Sequence, residues 1–80
     1  MEKYIVKNNL PEGIVQNGSL TGKSRYMAVR RFLTIANQLN ASGYNTKMNL
    51  RNKKDKPARG TIQVEIDGFY YYVELFKTEY

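Results

Sequence analysis

Two periods of apolar residues divide the chain, one helical over residues 23–40 and one strand-like over residues 44–78. Ala28, Phe32, Ile35 and Leu39 stand at i, i+4, i+7 and i+11, a single stripe of a 3.6-residue repeat, and Val29 and Ala36 widen it. This predicts a helix from Lys23 to Asn40. Thr21 or Ser24 can cap its start, because a side-chain hydroxyl accepts from a free N–H of the first turn, and Ser42-Gly43 supplies the stop. The far side of that helix carries Arg30, Thr34, Asn37 and Gln38, flanked by Arg25 and Arg31.

From Tyr44 to Arg51 the period is two. Tyr44, Thr46, Met48 and Leu50 share one face, and Asn45, Lys47, Asn49 and Arg51 share the other. Thr61–Asp67 and Phe69–Thr78 alternate in the same way and are joined by Asp67-Gly68, a two-residue turn that needs positive φ. Such a turn sets a register. Ile66 faces Phe69, Val64 faces Tyr71 and Ile62 faces Val73 on the buried side, while Glu65 faces Tyr70, Gln63 faces Tyr72 and Thr61 faces Glu74 on the other. The helix is expected to cover Ile62, Val64, Ile66, Tyr71, Val73 and Leu75. Near the N-terminus, Lys3–Asn8 reads as a short strand broken by Asn8, Asn9, Pro11 and Gly13. Ile14–Val15 reads as a second extended piece before the Asn17-Gly18 turn. The expected fold is α+β, a two-layer sandwich of one helix on an antiparallel sheet of three to four strands, in β-α-β-β-β order. Residues 1–80 make a single domain.

Composition removes whole classes of chemistry. The 80 residues include no cysteine and no histidine, so thiolate chemistry, disulfides and the commonest general base and metal ligand are all absent. Glu65, Asp67 and Glu74 lie near one hairpin, but their spacing matches no metal loop. A non-enzymatic protein without metal or cofactor is expected. No apolar run approaches a membrane span, and Met1–Leu10 lacks the apolar stretch of a signal peptide, which makes a cytoplasmic location the expectation. A core this small leaves a homodimer open as a second source of buried area.

Charge adds direction. The net charge of +6 is unevenly spread: residues 1–60 carry twelve Lys/Arg and three Asp/Glu, a balance of +9, and residues 61–80 carry Lys77 against four acids, a balance of −3. The richest stretch is Tyr44–Gly60, where Lys47 and Arg51 lead into Lys53, Lys54, Lys56 and Arg59 against the single Asp55. Positive charge beside amide side chains points first to nucleic-acid phosphate. The outward sheet face is expected to set Asn45, Lys47, Asn49 and Arg51 near Gln63, Tyr70 and Tyr72, a mixture suited to RNA or single strands. Ordinary cross-strand pairing and a dimer interface are the other readings of that face, and Glu65 and Glu74 weigh against nucleic acid there. Arg30 and Arg31 extend the basic surface along the helix, on the layer opposite the sheet face.

Gly18-Ser-Leu-Thr-Gly-Lys-Ser24 nearly spells a phosphate-binding P-loop, but three residues separate its glycines where that motif needs four. A capped helix start, or a softer anion contact at Gly22, Lys23 and Ser24, fits the segment better. The succession of a helix and three antiparallel strands over residues 23–78 resembles the first two thirds of a double-stranded RNA-binding domain. The resemblance is one of topology and implies no site residues.

The function expected from the chain is nucleic-acid binding, RNA preferred. Lys47, Arg51, Lys53, Lys54, Lys56 and Arg59 would hold phosphate, Tyr70 or Tyr72 would stack on bases, and Arg30 and Arg31 would widen the patch. The alternative is an inhibitor or adaptor of the phage or mobile-element kind, docking on a host protein such as a defence nuclease or RNase, with or without RNA. Abundant Lys, Asn and Tyr, the imprint of AT-rich coding, is common in such elements. A purely structural dimer module is a third reading.

Overall fold

The structure, a computed structural model, describes residues 3–15 and 19–78. The apolar stripe forms α1 (Arg25–Ala41), and all six of its residues are buried. Ser24 is the N-cap: its backbone is extended and its Oγ accepts from the Met27 N–H at 3.4 Å. At the other end the Ser42 N–H donates to the Gln38 carbonyl at 3.1 Å, and Gly43 takes φ 84°, the left-handed conformation that ends many helices.

Five strands, β1 (Lys3–Asn8), β2 (Leu20–Lys23), β3 (Asn45–Arg51), β4 (Arg59–Ile66) and β5 (Phe69–Thr78), form one sheet in the order β2-β1-β5-β4-β3. Every neighbouring pair is antiparallel. The expected count of three to four strands is therefore one short, and the element order is β-β-α-β-β-β. Ile14 and Val15 form bends and no strand, and the Asn17-Gly18 turn lies outside the described residues. The extra strand instead occupies Leu20–Lys23, a segment that reads as loop and cap because its own pattern carries no alternation. Pairing with Tyr4–Val6 makes it a strand. Gly22, at φ 71°, is the additional residue where the β1–β2 register slips between Tyr4 and Ile5. The described part of the near-P-loop segment is thus a bulged edge strand that leads into the helix cap.

The hairpin register follows the turn chemistry. Asp67 and Gly68 take φ 53° and 85°, the paired positive values of a type I′ turn, and all six expected β4–β5 partners are realised. Burial departs from expectation at the hairpin tip, where Phe69 is 67 % exposed and Tyr71 half-buried, although Ile66 directly opposite Phe69 is buried. Met48 on edge strand β3 is likewise exposed.

The β2–α1–β3 connection carries the chain from one edge of the sheet to the other, so α1 crosses the sheet and contacts all five strands. Tyr4 and Val6 join the expected core positions, fully buried. The Tyr4 hydroxyl accepts from the buried Ala58 N–H at 3.2 Å and thereby ties β1 to the entrance of β4. Gly60 lies under Phe32: a Cβ there would stand 2.7 Å from the Phe32 ring and 3.1 Å from Leu50. Glycine is what lets the helix approach that closely. Among the described residues no helix is long and apolar enough to cross a membrane.

Candidate nucleic-acid interface

Strand direction gathers the cations. β2, β3 and β5 run one way and β1 and β4 the other, and α1 runs antiparallel to β3. One end of the molecule therefore collects Lys3, Lys23, Arg25, Arg51, Arg59 and Lys77 around the loop 52–58, which carries Lys53, Lys54 and Lys56. Asp55 is the only acid of that loop. The loop is held at several points. The Lys56 N–H donates to the Lys53 carbonyl at 3.3 Å, and Ala58 is buried against Tyr4. Arg25 reaches across from α1, its Nε donating to Asn52 Oδ1 at 3.0 Å and its Nη2 to the Lys53 carbonyl. Among the described residues, Arg51, Lys53, Lys54, Lys56 and Arg59 form no salt bridge.

Arg51 and Arg59 are direct partners across the β3–β4 ladder, and Asn49 and Thr61 are the next pair on the same face. These four side chains and Gly60 line an open cleft of about 180 Å³. Like charges placed opposite each other on a sheet repel, by about 0.2–1 kcal/mol. Two forked guanidinium donors beside an amide and a hydroxyl form a complement for an oxyanion.

The sheet face away from α1 is ordered by rows. Lys47, Gln63 and Tyr72 form one row across β3, β4 and β5, and Asn45, Glu65 and Tyr70 form the next. These are the neighbours expected from the alternation. Tyr72 is fixed further by Asn9, whose Oδ1 accepts from the Tyr72 N–H at 2.8 Å and whose own N–H donates to the Tyr72 carbonyl at 3.3 Å. Glu74 on this face is paired with Lys7 at 3.7 Å, and Lys7 also lies 5.4 Å from the centre of the Phe76 ring. Glu65, by contrast, is exposed.

Of the expected site residues, the structure brings Lys47, Arg51 and Arg59 onto one face with Tyr70 and Tyr72, and places Lys53, Lys54 and Lys56 on the adjoining loop. Arg30 and Arg31 belong to the other layer. Arg31 is engaged at home, its Nη1 donating to the Ser19 carbonyl at 3.0 Å. Arg30 lies on an outer helix stripe with Tyr26, which is 71 % exposed, Leu33 and Asn37, along an open groove that also reaches Asn52. The i, i+4, i+7 spacing of Tyr26, Arg30 and Leu33 is visible in the chain, although the core stripe on the opposite side dominates it. The roles of Asn9 and Arg25 have no such signal, since both depend on partners distant in sequence. Among the described residues no group of three or more Asp or Glu side chains is placed to hold a metal.

No protein-family model matches the chain, and the curated proteins contain no match to it.

Proposed function

We propose that this protein binds nucleic acid, RNA in preference to DNA, without catalysing a reaction, and that it grips phosphate with the basic end of the sheet. The observation that carries this reading is the Arg51–Arg59 pair, two cations opposed on a ladder with no carboxylate between them, beside a tethered loop bearing three lysines. A surface that sets cations against each other carries a standing repulsion, and a bound phosphate relieves it. Tethering through Arg25 and Tyr4 limits the ordering entropy lost when the loop meets its ligand.

The test is fluorescence anisotropy with labelled single- and double-stranded RNA and DNA over a range of salt. Affinity is expected to fall steeply and linearly on logarithmic axes as counterions are released, with a slope set by the number of phosphates contacted. The double charge reversal Lys53→Glu and Lys54→Glu is expected to weaken binding at least tenfold at low salt. Unchanged affinity in that variant overturns the proposal.

A second reading, docking on an acidic protein surface, rests on the outer stripe of α1. The helix contains three arginines and no acidic residue, and Tyr26 and Leu33 expose apolar surface beside Arg30. Nuclease treatment before affinity capture separates the two: a partner retained after treatment is bound directly, and Tyr26→Ala should release it.

A further inference from the structure

We infer that the open face of the sheet is a binding track for single-stranded RNA, with phosphates over β3, base edges over β4 and base planes over β5. The inference rests on the nucleic-acid reading above and specifies the form of the ligand. Its basis is that the three strands on the free face carry three different chemistries in register. β3 presents Lys47 and Arg51 with amides between and beside them, β4 presents Gln63 and Glu65, and β5 presents Tyr70 and Tyr72.

The spacing agrees with an extended strand. Residues two apart on one face are separated by about 7 Å, the reach of one extended nucleotide, so Tyr70 and Tyr72 offer successive platforms for successive bases. Their exposures of 57 % and 45 % leave ring surface free for stacking. From β5 to β3 is two strand spacings, about 10 Å. A base lying on Tyr72 then has its edge against Gln63 and its sugar-phosphate towards Lys47. Four residues further along β3 the strand meets the Arg51–Arg59 cleft and, past it, the basic loop. The track and the phosphate grip are thus continuous.

Unpaired bases are required. Bases stacked within a duplex cannot lie flat on side chains of a sheet, whereas splayed single-stranded bases can. The acids on the face fit this assignment. Glu74 is paired with Lys7 at 3.7 Å, and that lysine, standing over Phe76, closes the β1 side of the platform. Glu65 lies in the base-edge column between Asn45 and Tyr70, one row from Lys47, where a carboxylate accepts from the exocyclic amine of cytosine or adenine and has no such amine to meet in uracil. Asn45 and Asn49, in the phosphate column, can meet a ribose 2′-hydroxyl as donor or acceptor.

The experiment measures anisotropy with labelled homopolymers of about eight nucleotides, poly(A), poly(C) and poly(U) as RNA and the matching DNAs, with an RNA duplex as control. Tyr70→Ala and Tyr72→Ala should each weaken single-strand binding by roughly five- to hundredfold, and Tyr72→Phe should restore most of it, because the ring and not the hydroxyl does the stacking. Melting curves and far-UV circular dichroism on each variant establish that the fold is intact. Poly(A) and poly(C) should bind more tightly than poly(U). If both alanine variants bind single strands as the wild type does, while Lys53→Glu with Lys54→Glu loses binding, the track is overturned and the phosphate grip stands. If the wild type binds neither single strand nor duplex at low salt, both readings fall. Equal affinity for the DNA series overturns the choice of RNA, and equal affinity for poly(U) overturns the role given to Glu65.

Discussion

The two faces of one sheet share a backbone and differ in what holds their side chains. On the helix-covered face Tyr4, Val6, Ile62, Val64, Val73 and Leu75 are buried among side chains from α1, and close packing leaves no freedom at Gly60. On the open face β3, β4 and β5 present Lys47, Arg51, Arg59, Tyr70 and Tyr72 to solvent, with the Lys7–Glu74 ion pair alongside. The covered face is determined by volume and the open face by charge and ring placement. The two should therefore be separable. A change on one face should alter stability, a change on the other should alter binding, and the residues that bridge them should alter both.

The largest effect is expected from Phe32→Ala, which empties the centre of the covered face and should cost about 3–5 kcal/mol. For a chain of this length, with a total stability of about 4–12 kcal/mol, that approaches global unfolding, measurable as a lost or greatly lowered thermal transition. Gly60→Ala comes next, at about 1–3 kcal/mol, because the added methyl meets the Phe32 ring. The same substitution in a Phe32→Leu background should be much cheaper. A double-mutant cycle with no coupling would show that the contact is not the cause.

Tyr4→Phe tests the bridge between the faces. It leaves the Ala58 N–H buried without its acceptor, at a cost of about 1–3 kcal/mol, and loosens the loop bearing Lys53, Lys54 and Lys56. Urea denaturation should show the loss of stability, and amide exchange should accelerate at Ala58 more than in β5. The smallest effect on stability is expected from Arg51→Gln with Arg59→Gln. Removing two opposed cations should leave stability within about 0.5 kcal/mol of wild type, yet lower the salt dependence of nucleic-acid binding by about two phosphate contacts. A large loss of stability there would join the two faces and break the comparison.

Much of the covered face was legible in the chain. The stripe Ala28, Phe32, Ile35, Leu39 and the cap Ser24 mark α1 by spacing along the chain, although the stripe is buried by packing on the sheet. Asp67-Gly68 specifies the β4–β5 register through the conformation of two residues. The columns of the open face follow from the same alternation, which is why the pattern of residues alone sets Lys47, Gln63 and Tyr72 near one another on that face. Local chemistry decides such features because the interacting groups are close in sequence, and a period of two or 3.6 residues records them.

Partners far apart in the chain are what the tertiary structure alone decided. Leu20–Lys23 is a strand because Tyr4–Val6 is beside it, and β1 is interior because β5 takes its other edge, with Lys3 opposite Thr78. No periodicity encodes which edge a strand will find. The same pairing buried Tyr4 and turned Ala58 inward, while Arg25 became a tether for the basic loop, leaving Arg30 apart from Lys47 on the opposite layer. The sequence by itself thus determined most of the elements, their faces and the sign of the charge. Assembly over long chain separations decided that Lys3, Lys23, Arg25 and Lys77 join the cations of the β3–β4 hairpin at one end of the sheet, since only closure of β1 onto β5 and of α1 across the sheet brings those ends together.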